Sequence, residues 1–296
     1  MTNTTLSGLR SPVSLTSSPQ LLKTRPNYVI WSLVSGLFSS LFYGMINLVK
    51  QRMENDILFS LILPAYNEEL RLPDCMEKVA GFVASREEDI EVIIVENGSK
   101  DRTYEMALEY AKQYPWLTVL RETKPGKGNA VRRGMLDAHG KYRMFADVDF
   151  SMPVDELDHF IPKDGKTYDV AIGSREAKGA VRYNEPASRH FTGRVFNLIV
   201  RVLAVPGIHD TQCGFKSFSA EAAEKLFGMQ LIDGWAFDAE VLFLAQKCGY
   251  KIEEVPVQWY YDGNSKINVA KDSLKMFREL LQIRKNYNEG RYPINK

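Results

Sequence analysis

The sequence predicts an α/β fold with a mostly parallel sheet flanked by helices, and three observations predict it. From residue 57 onward, short apolar runs rich in Ile, Leu and Val alternate with longer segments of helical periodicity. This is the pattern of a parallel sheet covered on both faces. Asn67, Glu96 and Asp147 fall at the carboxyl ends of apolar runs, where ligands sit in such sheets. The chain has 296 residues, 45% of them hydrophobic, enough for a substantial core in one α/β domain.

The elements follow in order. Residues 1–27 are rich in Ser and Thr without apolar periodicity, which predicts a disordered tail. Tyr28 to Val49 carries no charge; as a helix, about 22 residues reach roughly 33 Å, close to a bilayer's hydrocarbon thickness. Tyr28 and Trp31 at its start and Lys50 and Arg52 after it suit interfacial anchors. The segment 28–50 therefore reads as a transmembrane or membrane-anchoring helix. Its four serines and Asn47 also fit a core or interfacial helix. Basic residues at both ends leave its orientation open. "ILFSLILP" then reads as a buried strand, and "RLPDCMEKVAGFVASR" as a helix with Pro73 early, where its missing N–H does little harm. "IEVIIVE", "LTVLR" and "YRMFADVD" read as the next three strands. "DRTYEMALEYAKQY", capped by Ser99 or Asp101, and "GNAVRRGMLDA" read as the helices between them.

Composition excludes some functions. Lys plus Arg number 38 against 37 Asp plus Glu, for a net charge of +1, which argues against a general nucleic-acid binder. Three scattered cysteines and four histidines show neither a disulfide framework nor zinc spacing.

The chemistry concentrates in "FADVDFSMP", residues 145–153. If the strand continued through them, Asp147 and Asp149 would share a side. Two close carboxylates repel unless a cation sits beside them, and Mg2+ or Mn2+ bridges carboxylates to substrate phosphates. Two solvated loop aspartates, or helix caps, fit the same spacing. Pro64 stiffens the turn after the first strand, Tyr66 suits stacking on a planar base and Glu68 suits hydrogen bonding to it. After the second strand, Glu96 or Asn97 is placed to meet a base. "PGKGNA" lacks the P-loop spacing and reads as the entry to the third helix, with Lys127 near the nucleotide. His209 and Asp210 are adjacent, so on an extended chain they point apart and form no dyad.

"PAYNEE", "VENGSKDRT", "PGKGNAVRRGM", "FADVDFSMP", "GSR", "DTQCGFKSF", "GWAFDAEV" and "GNSK" occur in this order. Over about residues 57–286 the set resembles glycosyltransferase family 2. Within the family it resembles the dolichyl-phosphate β-glucosyltransferases and bacterial polyprenyl-phosphate glycosyltransferases. The resemblance implies a GT-A fold (nucleotide-diphospho-sugar transferase) over 57–286, with 287–296 as a C-terminal tail. It implies a membrane-associated enzyme facing the cytosol, at the cell membrane or, in a eukaryote, the endoplasmic reticulum. The implied reaction is inverting transfer of glucose from UDP-glucose to dolichyl or polyprenyl phosphate, with Mg2+ or Mn2+. The same fold with GDP-mannose or another UDP-sugar, a saccharide acceptor, or an inactive membrane scaffold are the alternatives.

Residue by residue, the resemblance makes Pro64, Tyr66, Glu68 and Asp147 nucleotide-binding, and Asp147, Asp149 and Ser151 metal-binding. The family's second-strand motif is commonly Asp-Asp-Gly-Ser; here Glu96, Asn97, Gly98 and Ser99 stand in its place. Arg175, Arg189 and Lys266 match phosphate-binding basic residues. Lys266 would assist the metal at the leaving diphosphate, while Arg175 and Arg189 suit a phosphate acceptor. A phosphate monoester, with its second pKa of about 6, is largely dianionic and does not strictly need a base. A sugar hydroxyl needs one, for which Asp238 and Glu240 are the candidates, the alternative being that they position helix and sugar. Gln212 is placed on the acceptor wall. In residues 188–207, His190, Arg194, Asn197 and Arg201 form one polar helical stripe, with Phe191, Val195, Leu198, Ile199 and Val202 on the other side. That pattern suits a helix lying in a membrane surface, with Arg194 on the acceptor side, and also a helix packed on the core.

Overall fold

The computed structural model describes residues 57–162, 167–261 and 269–294. The predicted tail 1–27, the predicted helix 28–50 and Lys266 lie outside the described residues. No helix among the described residues is long and apolar enough to cross a membrane.

A seven-stranded sheet forms the centre. Its strands are β1 (Phe59–Ala65), β2 (Ile90–Glu96), β3 (Leu117–Arg121), β4 (Tyr142–Phe145), β5 (Val170–Ser174), β7 (Lys216–Ser219) and β8 (Ile252–Pro256), in the order β3-β2-β1-β4-β7-β5-β8. All neighbours are parallel except β7, which runs antiparallel to both β4 and β5. A separate parallel pair joins β6 (Val181–Tyr183) to β9 (Gln258–Tyr260).

Alternation along β1 explains the layers. Leu61 and Leu63 point to one face, where they meet Leu72, Cys75, Met76 and Val79 of α1 (Leu72–Ala84). Ile62 points to the other, with Ile93 and Val95, and meets Ala130, Val131 and Met135 of α3 (Lys127–Asp137). The helix α2 (Thr103–Gln113) buries Ala107 on the first face. On the second face, α5 (Ala220–Met229) and α6 (Phe237–Lys247) complete the core. Both faces are thus covered, as near-continuous apolar strands require. Between β6 and β7 runs α4 (Ala187–Leu203), and α7 (Val269–Asn288) closes the described chain.

Three expectations shift. The fourth strand ends at Phe145 rather than running through the acidic pair: the Phe150 N–H bonds the Asp147 carbonyl at 3.2 Å and Phe150 adopts φ of +41°, so Asp147 and Asp149 sit in a turn. The boundary at 286 falls inside α7, and among the described residues beyond it Tyr292 is buried against the core. On α4 the two sides are not divided into polar and apolar. Asn197 of the polar stripe is buried, whereas Leu198 and Val202 of the apolar side are exposed beside exposed Arg194.

Candidate active site

The carboxyl ends of β2, β1 and β4 lie side by side in the sheet. Both amide hydrogens of Asn97 are engaged within the protein. Its amide donates to the carbonyls of Glu122 and Lys124 at 3.1 and 2.6 Å, and its oxygen accepts the Gly126 N–H at 2.8 Å. It therefore ties the loop after β3 to the end of β2. Glu96 is also inward: it is fully buried, accepts the Ser99 N–H and pairs with Arg121 at 3.1 Å. Both side chains hold the loops around the nucleotide motif. Tyr66 is half exposed just beyond the carboxyl end of β1, and Pro64 lies within β1. Thr103 receives the Glu68 N–H at 2.8 Å, and the Glu68 carboxylate lies 3.5 Å from Arg71.

That scaffold sets Lys127 at the start of α3. Gly126 holds φ of +132°, and a side chain there would strike the Asp233 carbonyl at 2.2 Å, so only glycine lets the chain enter the helix here. The Lys127 ammonium meets Asp147 at 2.5 Å and lies 5.4 Å from the Trp235 ring centroid. Burial works against its charge, but Asp147, Asp238 and Asp149 together hold its pKa above that of an ordinary lysine. Asp147 is gripped from behind by Gly214, whose hypothetical Cβ would sit 2.4 Å from Oδ2.

Asp149 differs. Burial, then the Asp147 charge, raise its pKa, offset by the Ser151 backbone and hydroxyl and by Lys127. Its Oδ1 accepts the Ser151 N–H at 3.0 Å, and it makes no ion pair among the described residues. A carboxylate disfavoured in its charged form by burial and a like charge suits a cation ligand. No cluster of three or more His, Cys, Asp or Glu able to hold a metal exists among the described residues. The oxygen set of Asp149, Asp147 and Ser151 still fits Mg2+ or Mn2+, which commonly bind one or two carboxylates and complete their shell with substrate phosphates and water.

The remaining predicted residues separate into buried pairs and surface groups. Arg175 forms a two-pronged pair with Asp210, Nε and Nη2 at 2.7 and 2.9 Å, and its guanidinium lies 5.3 Å from the Trp259 ring centroid. Buried Asp210 is held down at about 2: burial opposes ionisation, and Arg175 overcomes it. His209 turns instead to Glu254 at 2.7 Å, so the adjacent pair points apart as expected. Asp238 is not placed as an open base. It pairs with Lys216 at 2.7 Å, and Lys216 is 1% exposed and also donates to the Cys213 carbonyl at 2.5 Å. Glu240 is not placed as a base either. It is wholly buried and accepts the N–H groups of Leu231 and Ile232 at 3.1 and 2.9 Å and the Tyr292 hydroxyl at 2.6 Å. Gln212 borders the Asp210 turn, its N–H donating to Asp210 at 3.3 Å. Arg189 lies in the first turn of α4 and Arg194 one turn on, exposed.

Sequence reasoning passed over Lys216 and Trp235, and weighed Asp210 only as a neighbour of His209. A lysine between Phe215 and Phe218 in an apolar strand is the signal that could have exposed Lys216, since a lysine there needs a buried counter-charge.

Residues 60–227 match the model of the family described as "Glycosyl transferase family 2". A dolichyl-phosphate beta-glucosyltransferase of Dictyostelium discoideum is 34% identical over 259 residues, 81% of this chain and 78% of that protein. The Homo sapiens protein of the same name is 31% identical over 257 residues, 80% and 78% of the two chains. Among solved structures, Mycobacterium tuberculosis glucosyl-3-phosphoglycerate synthase, in complex with Mn2+, UDP-glucose and phosphoglyceric acid, superposes with a TM-score of 0.57 at 17% identity, covering 81% of each chain. That likeness speaks to the fold.

Proposed function

The chain belongs to glycosyl transferase family 2, and from that premise we propose that it transfers glucose from UDP-glucose to dolichyl phosphate, or another polyprenyl phosphate, with inversion at the anomeric carbon. The observation that carries the donor half is Asp149, whose carboxylate burial and Asp147 disfavour, beside the Asp147–Lys127 pair at the carboxyl end of the sheet. Asp149, with Asp147 and Ser151, would hold Mg2+ or Mn2+, which supplies Lewis-acid stabilisation to a departing diphosphate. Tyr66 would cover the base, while Lys127 adds positive charge where the leaving group gains negative charge.

The acceptor half rests on the relatives and on what the acidic residues are doing. Asp238 and Glu240 are committed to Lys216 and to the Leu231–Ile232 backbone. A saccharide hydroxyl would lack a base from this motif, whereas a phosphate dianion is already a nucleophile at neutral pH. Arg175 would offer Nη1, the guanidinium nitrogen not engaged with Asp210, and Arg189 and Lys266 would add charge. The exposed Leu198 and Val202 of α4 and Leu274, Phe277 and Leu281 of α7 would rest against the lipid, with 28–50 as the anchor. The site would face the cytosol, where sugar nucleotides are made, at the endoplasmic reticulum in a eukaryotic cell.

The test is transfer by the full chain in membranes or detergent, from a panel of sugar nucleotides to dolichyl phosphate. UDP-glucose should give a metal-dependent, organic-soluble β-linked product that disappears in Asp149→Ala and persists in the exposed-site variant Lys112→Ala. Turnover untouched by chelator, preference for GDP-mannose, or an α-linked product would overturn the corresponding part.

A further inference from the structure

We propose that Glu279 of α7 is a positioning residue for the donor site: it fixes the Gly234–Ala236 loop so that Trp235 lies over Lys127. The proposal deepens the donor-site reading and rests on it. The Glu279 carboxylate accepts the Ala236 N–H at 3.0 Å through Oε2. Its other oxygen, Oε1, would be 2.2 Å from a Cβ on Gly234, so the loop lies directly on the carboxylate. Lys275, one turn back, stands 3.8 Å from the same oxygen.

The loop is held equally closely on its other side. The Gly128 N–H bonds the Asp233 carbonyl at 3.0 Å, and Gln230 donates to the carbonyls of Gly128 and Ile232 at 3.0 and 2.9 Å. Between these two fixings lies half-buried Trp235, its ring 5.4 Å from the Lys127 ammonium that pairs with Asp147. The path from α7 to the acidic pair is therefore Glu279, Ala236 and Gly234, Trp235, Lys127, Asp147. The same helix turns Leu274, Phe277 and Leu281 outward, so α7 braces the donor loop with one side and offers apolar surface with the other.

The chemistry at stake is a charge-assisted hydrogen bond to a backbone N–H and one cation–π contact. Loss of either should weaken binding of a nucleoside diphosphate without removing any group that touches it. The experiment is calorimetric titration of UDP with Mn2+ into the full chain in detergent. Glu279→Ala and Trp235→Leu should each weaken UDP about three- to tenfold. The double variant should be no weaker than Trp235→Leu alone, because both act through one contact. Glu279→Gln keeps an acceptor oxygen and should stay within about twofold of the parent. Gly234→Ala should weaken UDP by crowding Glu279, and Gly234→Ala/Glu279→Ala should be no worse than Glu279→Ala. UDP binding unchanged in Glu279→Ala, or additive losses in the Trp235 double variant, would overturn the proposal. So would a fall in melting temperature with unaltered UDP affinity. If the parent chain binds no UDP, the donor-site reading itself falls, and this proposal with it.

Discussion

Replacing Glu240 by Gln separates an anchoring carboxylate from a reacting one. Burial pushes the Glu240 pKa from 4.5 up to about 7, against the lowering effect of Tyr292, Ile232 and Leu231. The unfolded chain releases this proton near 4.5, whereas the folded chain keeps it until about 7. Between those values the folded state binds more protons, so its stability falls as pH rises through the interval. The contribution is fully present below the unfolded pKa and gone above the folded one. At about 1.4 kcal/mol per pH unit the interval amounts to about 3 kcal/mol. Gln does not titrate, still accepts the Leu231 and Ile232 N–H groups, and can donate to the Tyr292 oxygen. The stability of Glu240→Gln relative to the parent should therefore rise by about 3 kcal/mol between pH 4.5 and 8. Chemical denaturation of the full chain in detergent at four pH values measures it. Glucosyl transfer at neutral pH should stay within about threefold of the parent. A pH-independent difference would refute burial as the cause. A loss beyond about 100-fold in kcat with UDP binding intact would return Glu240 to the role of base.

Three other outcomes follow from the site. Asp210→Asn leaves the buried Arg175 guanidinium without its counter-charge and should cost about 3–5 kcal/mol by thermal denaturation, whereas Asp74→Asn at the exposed Lys78 pair should cost about 0.5 kcal/mol. The same Asp210 carboxylate, ionised down to about 2, contributes stability above its unfolded pKa that is lost as pH falls through that lower value. Gly214→Ala should displace Asp147, 2.4 Å from the added Cβ, and lower kcat/KM at least about tenfold, while Gly81→Ala, with nothing within 4 Å, leaves it unchanged. Lys127→Met should weaken UDP by about 10- to 100-fold in a titration, the size of a lost charged hydrogen bond.

The sheet was legible because its central strands, β1 and β2 among them, are buried on both faces. Ile90–Glu96 and Leu117–Arg121 are observed with the bounds their apolar runs predict. Periodicity reports burial, and where burial is uniform it reports the element. The acidic pair was legible in its place after the fourth strand but not in its conformation. Asp147 and Asp149 read as a strand end, and only the Phe150 backbone, turned to φ of +41°, shows them in a turn. Least legible were the partners. Asn97 looks like a base-reading amide, but its three hydrogen bonds hold the loop that delivers Lys127. Such roles depend on residues that lie 25 to 29 positions away, and a single sequence carries no mark of that separation.

The charges explain why a cation belongs here. Asp147, Asp210 and Asp238 each have their own cation, in Lys127, Arg175 and Lys216. These pairs also sense one another, Lys127 attracting Asp238 and Lys216 attracting Asp210. Among the described residues, four carboxylates therefore face three basic groups, and the unmatched one is Asp149, whose ionisation burial and Asp147 oppose. A divalent ion there would turn the cluster's balance positive by one, so that it could receive a diphosphate. Asp149→Asn should then abolish metal-dependent UDP binding while raising thermal stability in metal-free buffer, since it removes a buried like charge. A metal-free stability loss equal to that of Asp210→Asn would mean that Asp149 is matched within the protein, and that the cation is not what completes the site.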